Sequence, residues 1–147
     1  MVAGLYRFAK SSNVNNVLEL LEKALTLSRS CMDTDTQCSR LTSIADIRRR
    51  MGDTAIGLTY VNEARRLANL SGNGYEEARA LWIAGKCTTR LGDYQTSIVH
   101  LHRAKEILGI CGMLGGLLDS NITVDQAQVH LLKSEYTEAR IIHTQSL

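Results

Sequence analysis

Leu91-Gly92-Asp93-Tyr94, midway through the stretch Ala80–Ala104, decides how this chain is read. Before it, Leu81, Ala84, Cys87, Thr88 and Leu91 recur at helical spacing. After it, Ile98, Leu101 and Ala104 do the same. Gly92 tolerates the left-handed backbone that often ends a helix. Asp93 follows it and can cap the next helix, its carboxylate accepting backbone N–H groups. The stretch therefore reads as helix, tight turn, helix.

The unit recurs along the chain. Met51-Gly52-Asp53-Thr54 lies 40 residues before it, and Ser12-Asn13-Val14 lies 40 before Gly52-Asp53-Thr54. Lys133-Ser134-Glu135-Tyr136 lies 42 after it. Twelve residues past each turn stands a small residue: Ala24, Ala64, Ala104 or Ser146. Nine residues past it stands Leu21, Val61, Leu101 or His143. A fixed period in this range signals stacked supersecondary units.

Gly85, Leu91-Gly92-Asp93-Tyr94, Ser97, Leu101 and Ala104 together resemble the tetratricopeptide repeat, a helix–turn–helix unit. That family places a small residue in the first helix, Gly-Asp-Tyr at the turn, and alanine, aromatic, alanine down the second. Here Ser97 replaces the first alanine and Leu101 the aromatic. Trp82 sits one place later than the family's usual tryptophan, and Leu81 takes that slot. The usual closing proline is missing, since the chain has no proline. A period of about 40 rather than 34 is similar to the long-helix variety of kinesin light chains and of sensor arrays in NACHT-type signalling NTPases, some of them fungal. The resemblance implies an all-α, right-handed superhelical solenoid of antiparallel helix pairs, with about eight helices and no strand. It covers nearly the whole chain, in units of about 1–30, 34–70, 75–110 and 117–147.

Composition agrees. A chain of 147 residues can bury about 70% of its unfolded surface in one domain. The core would be aliphatic, because aromatics are only 5%. A net charge of +2 is too mild to argue for nucleic acid. No run of 18 apolar residues is present to span a membrane, and Met1–Arg7 lacks the order of a signal peptide. Cys31, Cys38, Cys87 and Cys111, spaced by 7, 49 and 24, fit no zinc or redox motif. Free thiols suggest a reducing compartment, so a cytoplasmic location is expected.

In chain order, residues 2–10 read as the tail of a first helix, with Leu5, Phe8 and Ala9 apolar. Further helices are expected at about 14–29, 36–50, from Asp53 to Asn69, 75–90 and 94–109. Cys111–Gly116 reads as the loosest loop. A seventh helix is expected at 118–133, and an eighth from Glu135. Both end helices look incomplete, so a slice of a longer array is expected. Uncapped ends, with Gly112–Gly116 as a hinge, suggest self-association.

Little in the sequence points to catalysis. His100 and His102 are two apart and point to different sides of a helix, unlike an i, i+4 metal pair. No nucleotide-binding or HExxH fingerprint is present, and Gly112–Gly116 follows no strand. The expectation is a non-enzyme with no cofactor and no metal. The stronger signal is a surface. In the family, positions 2, 5, 9, 12 and 13 of each unit usually face a concave groove. Carried over, they are Ser39, Thr42, Asp46, Arg49 and Arg50, then Arg79, Trp82, Lys86, Thr89 and Arg90. The third unit contributes Asn121, Val124, Gln128, Leu131 and Leu132, and the first Tyr6 and Lys10.

Lys10, Arg49, Arg50, Arg79, Lys86 and Arg90 would then share one side with Trp82, against Asp46 alone. Such a groove attracts an acidic peptide or a chain-terminal carboxylate. Arg48-Arg49-Arg50 also suits an ordinary helix end, and Trp82 also suits packing between units. The family's chaperone-binding members use asparagine where Asp46 and Lys86 stand, which argues against a chaperone clamp. The expected function is a protein- or peptide-binding module, the scaffold or sensor part of a signalling protein. The alternative is a helical-repeat nucleic-acid binder using the basic groove, which few aromatics and low net charge disfavour.

Overall fold

A computed structural model describes residues 12–146, so the helix expected at 2–10 and the groove residues Tyr6 and Lys10 lie outside the described residues. The described residues form α1 (Ser12–Ser30), α2 (Thr34–Arg50), α3 (Thr54–Ser71), α4 (Gly74–Arg90), α5 (Tyr94–Ile110) and α6 (Leu117–Ser146). They contain no strand. Six helices stand where about eight were expected for the chain.

One turn joins α1 through α5 and leads out of α5. Met32, Gly52, Gly72, Gly92 and Gly112 take positive φ, at 57°, 94°, 74°, 81° and 71°. The next residue's N–H reaches back to the carbonyl five residues earlier. Asp53 bonds Arg48, Asp93 bonds Thr88, and Met113 bonds Leu108, at 2.8–2.9 Å. This Schellman geometry satisfies carbonyls that a helix end would otherwise leave unpaired. Asp33, Asn73 and Asp93 then cap the following helices through the amides of Thr36, Glu76 and Thr96, at 3.1–3.2 Å. The turns recur every 20 residues, half of the 40-residue sequence period.

The expected turn at Lys133–Tyr136 does not form. Residues 117–146 are one helix of 30 residues, so the separate seventh and eighth helices are corrected to a single α6. Ser134 stands where four of the five turns have glycine, and a left-handed L-residue costs roughly 1–2 kcal/mol. The flanking Lys133, Glu135, Glu138, Ala139 and Arg140 are good helix formers, so the helix continues. The expected loose loop also keeps the common turn at Gly112, and the Gly115 N–H donates to the Asp119 carboxylate at 2.8 Å.

Packing follows chain order. Each helix packs on the next, and α4 also touches α2 and α6. Two apolar clusters result. Leu18, Leu41, Ile44, Val61 and Ile83 belong to the first, and Leu81, Leu101, Leu108, Ile122 and Val129 to the second. Fully burying such a side chain contributes about 1.5–3 kcal/mol. Ala104 is fully buried in the second cluster.

Within each pair the helices cross on small residues. A Cβ on Gly57 of α3 would stand 2.8 Å from the Ala45 carbonyl oxygen of α2. Forty residues on, Ser97 of α5 donates its hydroxyl to the Gly85 carbonyl of α4 at 2.8 Å. A Cβ on Gly85 would press on the Leu101 side chain at 2.8 Å.

Two substitutions test this frame in thermal melts. Gly57→Ala should destabilise by about 1–3 kcal/mol through backbone crowding, despite alanine's better helix propensity. Met32→Gly should stabilise by about 0.5–1 kcal/mol, because glycine relieves the left-handed strain at some entropic cost.

Candidate functional site

The inner row of α2, α4 and α6 encloses a cleft of about 260 Å³, lined on one side by Arg49, Lys86, Thr89 and Arg90 and on the other by Asp125 and Gln128. Its floor is the α4–α5 crossing. Gly85 leaves room there for Leu101, and Thr89 bonds both the Gly85 carbonyl at 2.8 Å and the Ser97 hydroxyl at 2.6 Å.

Asp125 is the hub. One of its oxygens, Oδ2, accepts the Trp82 indole N–H at 2.6 Å and lies 3.1 Å from Lys86 Nζ. The same ammonium stands 5.0 Å from the centre of the Trp82 ring, within cation–π range. Trp82 is half-buried and packs against both apolar clusters. The two placements weighed for it from sequence therefore coexist: the ring packs between units, and its polar edge faces the cleft.

Of the seven expected groove residues, Arg49, Lys86 and Arg90 line the cleft, and Trp82 borders it through Asp125. Arg50 is not part of the lining and shares Asp46 with Arg49, at 3.1 Å and 2.6 Å. Arg79 is held away from it: its guanidinium reaches the Ser43 hydroxyl at 3.2 Å and Glu76 at 3.4 Å. Lys10 lies outside the described residues. Thr42, expected in the groove, is fully buried and bonds the Cys38 carbonyl.

The picture of basic residues facing Asp46 alone is corrected. Asp125 and Glu76 also supply negative charge, and among the described residues Arg90 is the groove cation with no ion-pair partner. Sequence reasoning missed Asp125 because the transferred register passed from Val124 to Gln128. A signal was present. The position held by Asp46 in one unit holds Lys86 in the next, and that reversal calls for an acid from the following helix.

Cys87 lies behind the cleft, its thiol pushed up to about 11 by burial, with Asp46 raising it further and Arg49 opposing. Cys38 is likewise raised to about 11, mainly by burial. Both therefore stay protonated and inert near neutral pH. No helix among the described residues is long and apolar enough to cross a membrane. No protein-family model matches the chain, and comparison with curated proteins finds no match.

Asp125 can be isolated by substitution. Asp125→Ala removes the indole's acceptor and the counter-charge of Lys86 together, and should cost about 1–3 kcal/mol. The emission of Trp82, the only tryptophan, should shift to the red and become easier to quench. Asp125→Asn keeps an acceptor for the indole and should fall between.

Proposed function

We propose that the protein is a non-catalytic, tetratricopeptide-type interaction module that holds an acidic segment of a partner protein in the Arg49–Lys86–Arg90 cleft. The repeated helix pairs, the common turn and the in-line packing of α2, α4 and α6 support a right-handed superhelical array. A scaffold or sensor role in a larger signalling protein accords with that architecture.

The observation that carries the proposal is Asp125 itself. One carboxylate already sits between the indole N–H and an ammonium, at 2.6 Å and 3.1 Å. The cleft therefore presents donors suited to carboxylate, and Arg90 stands at its rim with its guanidinium not neutralised within the described residues. A guanidinium can take a second carboxylate in a bidentate pair, stronger than a neutral hydrogen bond. A partner segment that brings an acidic side chain or a terminal carboxylate to Arg90 fits this remaining donor.

Labelled acidic peptides, followed by anisotropy and by Trp82 emission, test the reading. Arg90→Glu should weaken binding by at least roughly ten- to a hundredfold, since it removes the charge-assisted pair and sets a like charge against the peptide. Its melting temperature should hardly change, because Arg90 is exposed and unpaired within the described residues. A single-stranded RNA of matched charge serves as the competing probe. Tight RNA binding that falls steeply with salt would replace the peptide reading with the nucleic-acid one.

A further inference from the structure

The small-residue crossing occurs a third time in the sequence, where the structure leaves it open. Ala45 crosses Gly57 and Gly85 crosses Ser97. Forty-two residues beyond the second pair stand Ala127 and Ala139, both exposed and both on the single helix α6. Thr89, whose hydroxyl touches that of Ser97 at 2.6 Å, corresponds to Leu131, which is 60% exposed and faces no partner helix among the described residues. Ile142 corresponds to His100, whose ring approaches Arg65 of the preceding outer helix at 3.5 Å, and Ile142 is 66% exposed.

The first half of α6 thus carries the inner-helix side of a crossing, and residues 135–146 carry the outer-helix side. A continuous helix cannot bring its own two halves together. We propose that residues 135–146 of one copy dock on the Ala127–Leu131 face of a second copy, reciprocally, in the register that α5 takes on α4. Two long helices then lie antiparallel, Leu131 of each beside Ala139 of the other, and both exposed faces are covered. Ser134 is the hinge. As serine it keeps the helix straight and favours exchange; as glycine it would permit the common left-handed turn and let each tail fold back on its own chain.

Disulfide trapping in the 147-residue chain tests this. Cys31 and Cys111 are exposed and are replaced by serine, while Cys38 and Cys87 are buried and stay in place. Leu131→Cys and Ala139→Cys are then introduced together, both at exposed positions. Mild oxidation should yield a covalent dimer that either single-cysteine chain forms far less. Light scattering should report a dimer that dissociates over about a hundredfold dilution.

Ser134→Gly should weaken the dimer by about tenfold or more and turn the trapped product into an intrachain disulfide. A monomer at every concentration, an intrachain disulfide with Ser134 in place, or a dimer in which 131 and 139 never cross-link would each overturn the exchange. A dimer unmoved by Ser134→Gly would overturn the hinge. Peptide binding at Arg90 is read separately, so failure of one proposal is distinguishable from failure of the other.

Discussion

A single backbone hydrogen bond, closed over a left-handed residue every 20 positions, sets the geometry of this molecule. It ends α1 through α5 at Met32, Gly52, Gly72, Gly92 and Gly112, and so holds α2 through α5 at 17 or 18 residues. At 1.5 Å per residue these helices are all about 26 Å long, so each lies along the full length of its neighbour. Matched lengths also keep the crossing points level, which is why Ala45 meets Gly57 and, 40 residues on, Gly85 meets Ser97. Where the turn is withheld, at Ser134, the helix runs on to 30 residues, and past Tyr136, whose ring still meets Tyr94, the described residues of α6 are exposed.

The two crossings solve one steric problem in different ways. At the first, the glycine sits on the outer helix and the alanine on the inner. At the second, the glycine is on the inner helix, and the outer residue is a serine that spends its hydroxyl on the facing carbonyl. Close approach of two backbones needs one missing side chain per crossing, on either helix. A buried hydroxyl is tolerated there because its hydrogen bond is made.

The order of helices and most of their limits were legible in the sequence, because Gly52 and Gly92 each precede an aspartate and follow an apolar stripe. The half-period was less visible. Gly72 lies in Ser71–Gly74 and Gly112 in a glycine-rich run, and neither neighbourhood looks like Gly-Asp-Tyr. At the last expected turn the sequence misleads for the opposite reason. Ser134-Glu135-Tyr136 matches the pattern of Gly92-Asp93-Tyr94 in spacing, but spacing does not supply a left-handed residue. Arg49, Lys86 and Arg90 share one cleft, as their repeat positions imply, whereas the long Arg79 side chain turns back to Ser43 and Glu76. Asp125 pairs with residues 39 and 43 positions away on another helix, a relation that helical periodicity does not encode.

Trp82 has one more consequence. Its ring packs against both apolar clusters, and its nitrogen is tied to α6 through Asp125. It belongs to α4, the helix that touches α2, α3, α5 and α6 alike. The ring therefore works as a wedge at the seam between the two halves of the molecule.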